Sequence, residues 1–417
     1  MKHIYIVDEH QSSKQNGVGT YIRQLLKCFE GSGHDVNLLS FNSDEKRSGT
    51  ETLSTYTEYH IPSFGMGGFL NNGKLALSLL RLYIEDSDNN VFLVNHFPCD
   101  KFLADIKHIF PLSRLIFVIH DQGWCAPLYG DIDLFKKLIA RKHLQSVHKD
   151  ECKRIRDITH RERRMYRLAD DIIALSNSTY NLLLETYDVP KVKIHLIPNG
   201  LQQPETSCSQ DEKALIRKRL GIEEDEIVLL YTGRTSPSKG IIPMLQAFER
   251  CWKGHNNLRL VIAGEVFRFN EFTKHTPYSA AHVTYTGLLR KERLAEWYQI
   301  ADIGILPSFT EQSSYTGIEM LAYGKLIVTT DGHNLKDMFS DNTAIVAHIK
   351  GKRAEYSSDF TDALAKAINR ALHINNRERL RLQQMARQHY NHFYSFDSWK
   401  ETYARLINGG HSQQTLS

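Results

Sequence analysis

Asp302-Ile303-Gly304-Ile305-Leu306-Pro307-Ser308 runs into Phe309-Thr310-Glu311-Gln312-Ser313-Ser314-Tyr315-Thr316-Gly317-Ile318-Glu319-Met320, and Gly324-Lys325-Leu326-Ile327-Val328-Thr329-Thr330 follows. An apolar run, a polar loop opening a helical stretch, and a second apolar run make one unit of a parallel sheet. Such sheets bind ligands outside the carboxyl ends of their strands. With Glu311 in the loop and Glu319 on the first helical turns, both carboxylates can face one crevice. Ionised carboxylates only accept hydrogen bonds, so the pair suits a ligand rich in hydroxyl groups.

The same alternation extends in both directions. Upstream, short apolar and β-branched runs stand at Ile4–Val7, Asp35–Ser40, Val91–His96, Arg114–His120, Asp171–Leu175 and Lys193–Ile197. After Pro198-Asn199-Gly200 and a polar, linker-like stretch, Gln202–Glu212, it restarts at Glu226–Tyr231, Leu258–Ala263, His282–Thr286, Asp302–Leu306, Leu326–Thr330 and Thr343–Ala347. Helical spacing fills several gaps, as in Tyr21-Ile22-x-x-Leu25-Leu26-x-x-Phe29. Strands alternating with helices predict an α/β chain with two doubly wound parallel sheets. At 417 residues, two cores are also the expectation from size. The expected division is residues 1–200, residues 201–390, and a C-terminal helix, 391–417, that returns to the first domain and ends in a frayed tail.

Composition narrows the class. Apolar content of 41% and charged content of 24% are ordinary for a globular chain, and a net charge of +4 does not argue for nucleic-acid binding. Six scattered cysteines without a C-x-x-C pair suit reduced thiols in a cytoplasmic setting. No apolar run approaches the roughly 20 residues that span a bilayer.

Three further stretches carry chemistry. Gln15-Asn16-Gly17-Val18-Gly19-Thr20-Tyr21 follows the first strand and opens a helix, where glycines admit close approach and an N-terminus favours phosphate. It lacks the third glycine of a dinucleotide fingerprint, and a plain loop before a helix explains it too. In Tyr231-Thr232-Gly233-Arg234-Thr235-Ser236-Pro237-Ser238-Lys239-Gly240 a planar fork and a mobile point charge flank a small-residue loop and suit a diphosphate. Two solvated surface cations are the bland reading. Val118-Ile119-His120-Asp121 ends a strand with a histidine, able to donate or accept near neutral pH.

In this order and at these strand ends, the motifs resemble one family. Gly17 and Gly19, His120, Ile197-Pro198-Asn199-Gly200, Gly233-Arg234 with Lys239-Gly240, Ala263-Gly264-Glu265, Ala301-Asp302-Ile303 with Pro307-Ser308, and Glu311-x7-Glu319 together resemble the retaining family 4 glycosyltransferases. That resemblance implies the GT-B fold, two Rossmann-like domains facing a central cleft, the first on the acceptor side and the second on the nucleotide-sugar side. It implies a nucleotide-sugar donor, with a UDP-sugar as the default, and a glycan, lipid-linked or other hydroxyl acceptor. Glu319 would bind the ribose and Glu311 the sugar; Arg234 and Lys239 would neutralise the diphosphate. Tyr315, Thr316 and Gly317 would approach the phosphates with their backbone. Gly17 would let a loop close on the donor, with Gly19, Gly233 and Gly264 as further donor-side glycines, and His120 would sit near the transferred sugar. No metal or other cofactor is expected, since Arg and Lys fill that role.

Gln312-Ser313-Ser314 departs from the glycine-containing family pattern after the first glutamate, so Ser313 and Gln312 are candidates for tuning the donor. Asp131-Ile132-Asp133 matches a metal-holding D-x-D of another fold, but follows a turn and reads as a loop. Lys136–Arg167 holds twelve Lys and Arg against four acids. A solvated helical face is the bland reading. Peripheral contact with an anionic membrane face or acceptor is the sharper one, although the helical phase is not clearly amphipathic. A nicotinamide oxidoreductase and a non-catalytic nucleotide-sugar-binding module are the rival classes. The base, the sugar, the acceptor and the oligomeric state are not legible.

Overall fold

The computed structural model describes residues 1–13, 16–63, 68–95, 100–140, 149–266, 268–349 and 354–410, with backbone alone at 11, 12 and 68–72. The chain forms two compact units. Unit 1 is Met1–Trp124, Asp133–Gly200 and Phe396–Ser417; unit 2 is Cys125–Ile132 and Leu201–Ser395.

Unit 1 is built on β1 (His3–Glu9), β2 (Asp35–Ser43), β3 (Gly49–Thr52), β4 (Thr57–Pro62), β5 (Asn90–Asn95), β6 (Arg114–Ile119), β7 (Asp171–Ala174) and β8 (Ile194–Leu196). Their order is β3-β4-β2-β1-β5-β6-β7-β8. The central strands are nearly unbroken apolar runs because helices cover both sheet faces; β5 is buried at every position. The expected purely parallel sheet needs one correction. β3 pairs antiparallel with β4 at the edge. Three of the four β3 residues are exposed, and Thr-Glu-Thr has no apolar face to reveal it in sequence. His96, expected at the end of β5, lies outside the described residues.

Unit 2 is a six-stranded parallel sheet of β9 (Ile227–Thr232), β10 (Leu258–Ala263), β11 (Val283–Gly287), β12 (Ile303–Leu306), β13 (Leu326–Thr330) and β14 (Ile345–Ala347). The order β11-β10-β9-β12-β13-β14 puts β9 and β12 side by side at its centre. Order reverses between them, so this is the switch point where open α/β sheets bind ligands. Two apolar clusters lie on the two faces, one including Leu229, Leu260, Ile305 and Val328, the other Val228, Leu230, Val261 and Ile327. Neighbouring residues of one strand fall in different clusters, as alternation along a strand requires.

The segment 202–212 is irregular only to residue 209. Ser209 and Glu212 form a reciprocal capping box, and the helix Gln210–Arg219 starts there. The C-terminal helix Phe396–Ile407 belongs to unit 1, where Arg114 donates to the Leu406 carbonyl at 2.9 Å and Tyr403 meets Tyr21.

Of Asp131-Ile132-Asp133 only Asp131 lies in the loop. Tyr129 and Gly130 turn with positive φ, and Ile132 and Asp133 begin the helix Ile132–Ile139. The basic helix Lys149–Leu168 is also clearer than its sequence. It buries Ile155, Thr159, Glu162, Met165 and Tyr166 along one stripe, while Lys153, Arg154, Arg156, Arg161 and Arg164 are exposed. Glu162 on the buried stripe hid the periodicity: its carboxylate accepts from the Gly123 amide and the Tyr187 hydroxyl.

Candidate functional site

At the carboxyl end of β9 the chain turns through Gly233 and Arg234 and reaches Lys239 in a single 3₁₀ turn, Pro237–Lys239. Gly240 then starts the helix Ile241–Trp252. Gly240 has φ of 67°, and a Cβ there would lie 2.1 Å from the Pro307 carbonyl oxygen. Only glycine combines that left-handed backbone with that approach. Phe309 N donates to Ser238 O at 2.9 Å. The loops after β9 and β12 are thus knitted together, which carries Lys239 to Glu311.

Lys239 Nζ donates to Glu311 Oε1 at 2.6 Å, and Ser308 Oγ donates to the same oxygen at 2.7 Å. The lysine and glutamate side chains keep only 20% and 11% of their exposure, so the pair is largely withdrawn from water. The loop after β13 holds Glu311 in place. Its amide donates to the His333 carbonyl, its carbonyl accepts from Asn334 Nδ2, and His333 N bonds Phe309 O. Arg234 is exposed, and its guanidinium has no hydrogen bond or ion pair among the described residues. Glu311 and Arg234 both act on the buried Tyr231 phenol, whose pKa is raised chiefly by burial and further by Glu311, with Arg234 opposing.

Ser314 caps the helix Tyr315–Ala322, accepting from Gly317 N at 3.3 Å. This accounts for part of the departure at Gln312-Ser313-Ser314: the third residue is the helix cap. Gln312 and Ser313 are buried beside it. Gly317 packs against Phe339, Met338 and Leu306. Thr316 Oγ1 contacts Thr232 Oγ1 at 3.1 Å. One turn on, Glu319 Oε2 accepts from the Tyr298 hydroxyl at 2.7 Å. Burial raises the Glu319 pKa, against the opposing effects of Tyr298 and Lys291.

Gly264, after β10, has φ of 157°, and a Cβ would fall 1.9 Å from the Gly233 carbonyl oxygen. Its amide donates to Gly287 O, while Gly233 N donates to Ala263 O. Gly264 is therefore required for neighbouring strand ends to touch, whatever ligand they meet.

In unit 1, His120 follows β6. Its Nε2 is 3.2 Å from Asn95 Oδ1, and its ring meets Tyr21 edge-on at 4.5 Å. Asn95 Nδ2 donates to the Val7 and Leu93 carbonyls, so Oδ1 is the atom that faces the histidine and Nε2 carries the proton. The glycines expected in a loop are helical. A short helix, His10–Ser13, intervenes after β1, and Gly17 begins the helix Gly17–Phe29. Asn16 caps it, accepting from Val18 N and Gly19 N. A Cβ on Gly19 would meet Ser13 O at 2.2 Å, so this glycine serves helix contact. Gln15 lies outside the described residues.

The structure thus gathers Gly233, Arg234, Lys239, Gly264, Glu311, Ser313, Tyr315, Thr316, Gly317 and Glu319 at one end of one sheet. Gly17, Gly19 and His120 stand in the other unit. Sequence reasoning gave no role to Ser308, Thr232, Tyr298 or Asn95. Ser308 could have been found by its place three residues before Glu311; Tyr298 is reached only through folding. Among the described residues no three His, Cys, Asp or Glu side chains form a metal-holding group.

Comparison with known proteins bears on the family and the fold. Residues 212–389 match the model of the family described as Glycosyl transferases group 1, and residues 15–202 that of Glycosyltransferase Family 4. A lipopolysaccharide 1,2-N-acetylglucosaminetransferase of Salmonella typhimurium is 28% identical over 52% of this chain and 56% of its own length. The match thus spans little more than half of that relative. An uncharacterised glycosyltransferase of Methanocaldococcus jannaschii is 24% identical over 81% of this chain and 82% of its own. Among solved structures, the sucrose-phosphate synthase of Thermosynechococcus elongatus superposes with a TM-score of 0.76 at 17% identity, covering 98% of both chains.

Proposed function

We infer the reaction from the family to which the chain belongs, the family 4 glycosyltransferases of GT-B fold. A sugar passes from a nucleoside diphosphate, with a UDP-sugar as the default donor, to a hydroxyl of a glycan or lipid-linked acceptor. The anomeric configuration is retained and no metal takes part. Unit 2 holds the donor; unit 1 serves the acceptor.

The observation that carries this reading is the Lys239–Glu311–Ser308 cluster with exposed Arg234 on the adjoining loop. Breaking the bond between the sugar and a diphosphate builds negative charge on the leaving oxygens. Cations fixed nearby stabilise that charge more than the ground state. On this reading Lys239, paired with Glu311, turns to the diphosphate, and Arg234 meets it from the exposed side. Glu311 accepts from sugar hydroxyls and Glu319 from ribose hydroxyls. Ser313 and Gln312, buried beside Glu311, shape the sugar pocket, and the backbone of Tyr315, Thr316 and Gly317 approaches the phosphates. His120 adjoins the transferred sugar, and Gly17 lets the unit 1 backbone approach the donor. The anomeric C–O bond breaks as the acceptor oxygen bonds to that carbon on the same face. The departing phosphate oxygen takes the acceptor's proton. Trapping a covalent sugar–protein adduct during turnover would rule this route out.

A donor-hydrolysis screen across nucleotide-sugars tests the activity, alongside thermal stabilisation by UDP, GDP, ADP and NAD. Release of free sugar from one donor class, undiminished by chelator, is expected; stabilisation by NAD alone would refute the reading. The exposed cations of the helix Lys149–Leu168 support an anionic membrane face as a further partner. Failure to sediment with anionic vesicles at low salt would remove it.

A further inference from the structure

Behind Glu319 lies a line of hydroxyls. Tyr298, on the helix Lys291–Ile300, donates to Glu319 Oε2 at 2.7 Å. Thr232 Oγ1, ending β9, is 2.9 Å from the Tyr298 oxygen, and Thr316 Oγ1 is 3.1 Å from Thr232. Tyr298 is 2% exposed, and its ring stacks on Tyr323 at 4.9 Å with 10° between the planes. A buried phenol in a fixed rotamer thus aims its single proton at one carboxylate oxygen.

We propose that Tyr298 is a positioning residue of the nucleotide site, holding Glu319 as a fixed, acceptor-only carboxylate for a ribose diol. This rests on the reading of Glu319 as the ribose-binding group. An ionised carboxylate offers about four lone-pair sites. Tyr298 occupies one on Oε2, which leaves acceptor positions for two neighbouring hydroxyls. The hydroxyl line has two directions. With Glu319 ionised, Tyr298 donates to it, and Thr232 can turn its one proton from Thr316 to Tyr298. With Glu319 protonated, the carboxyl becomes the donor, the line reverses, and an acceptor for ribose is lost. Burial favours the protonated form; Tyr298 and Lys291 oppose it, and Tyr323 is the other titratable group close by.

The test is binding of UDP, GDP and ADP by calorimetry from pH 5 to 8, on the wild-type chain, Tyr298→Phe and Thr232→Val. Phenylalanine keeps the ring stack, so melting should stay near wild type. Loss of a hydrogen bond to a charged group should weaken binding of the preferred nucleotide by about tenfold at neutral pH. The donor KM should rise far more than kcat falls. Wild-type affinity should decline as pH falls, and in Tyr298→Phe that decline should begin at higher pH. Thr232→Val should move it the same way by less; if Tyr298→Phe does not fold, this variant decides. An unchanged affinity and pH profile in the variants overturns the proposal while leaving the nucleotide reading intact. A wild-type chain that binds none of the three overturns both.

Discussion

At the carboxyl end of β6, His120 meets one amide and the edge of an aromatic ring. At the carboxyl end of β12, Glu311 meets a cation and a hydroxyl, while the loop after β13 holds its backbone. The two strand ends arise from the same alternation of apolar strands and helices. What differs is how each polar group is held. Unit 1 holds an imidazole against an amide and an aromatic edge. Unit 2 fixes charges with other charges, and leaves a neighbouring guanidinium exposed. Balanced but exchangeable charge is what an anionic leaving group needs, and on the proposed reading unit 2 supplies it.

The contrast breaks first at Lys239. Lys239→Ala should lower kcat by about 10²–10³-fold, the usual scale for removing a group aimed at developing charge. Donor KM should change less; steady-state kinetics with the donor found by the screen checks this, and the reverse pattern would move the leaving-group role elsewhere. Next come the glycines. Gly264→Ala should cost about 3 kcal/mol in chemical denaturation, through strained backbone and the clash with Gly233, and should weaken nucleotide binding too. Gly19→Ala meets a carbonyl of a four-residue helix that can shift, so it should cost less and leave nucleotide binding alone.

A third difference is in titration. Burial lifts Glu162 in unit 1 to about 7, against the Tyr187 and Gly123 hydrogen bonds. The folded chain therefore holds a proton that the unfolded chain has released above its ordinary carboxylate pKa of 4.5. Stability from this group is complete below that value and declines as pH rises towards 7. Glu162→Gln should remove roughly 2–3 kcal/mol of that decline, read as the difference between the two denaturation profiles. Smallest are the caps. Asn16→Ala and Ser314→Ala should each cost about 1 kcal/mol, and only the second should also weaken nucleotide binding.

Much of this was written locally in the chain. The twelve expected strands are all present because each is a short, β-branched, apolar run, and Glu311, Lys239 and Arg234 stood out by spacing. The edge pair β3–β4 was missed because its outer strand is polar and solvated, and polar alternation without a buried face carries no signal. Glu162 masked an amphipathic helix because it is a buried acid whose partners, Gly123 and Tyr187, stand tens of residues away. Tyr298 was missed for the same reason: nothing in Trp297-Tyr298-Gln299 says that its hydroxyl will meet Glu319. Gly19 shows another limit: a glycine demanded by helix contact looks the same in sequence as one demanded by a phosphate.

Unit 1 has one more property, set by chain order. Its first sheet is written by residue 196, yet Trp399 covers Gly200, Tyr403 meets Tyr21, and Arg114 binds the Leu406 carbonyl. On the ribosome, every residue of unit 2 is made before the helix that seals unit 1 emerges. The first unit to be synthesised is the last to be finished, and until then its aromatic seam is open. Chaperone engagement and protease sensitivity of the nascent chain should therefore concentrate in the N-terminal unit, although domains made first generally fold first.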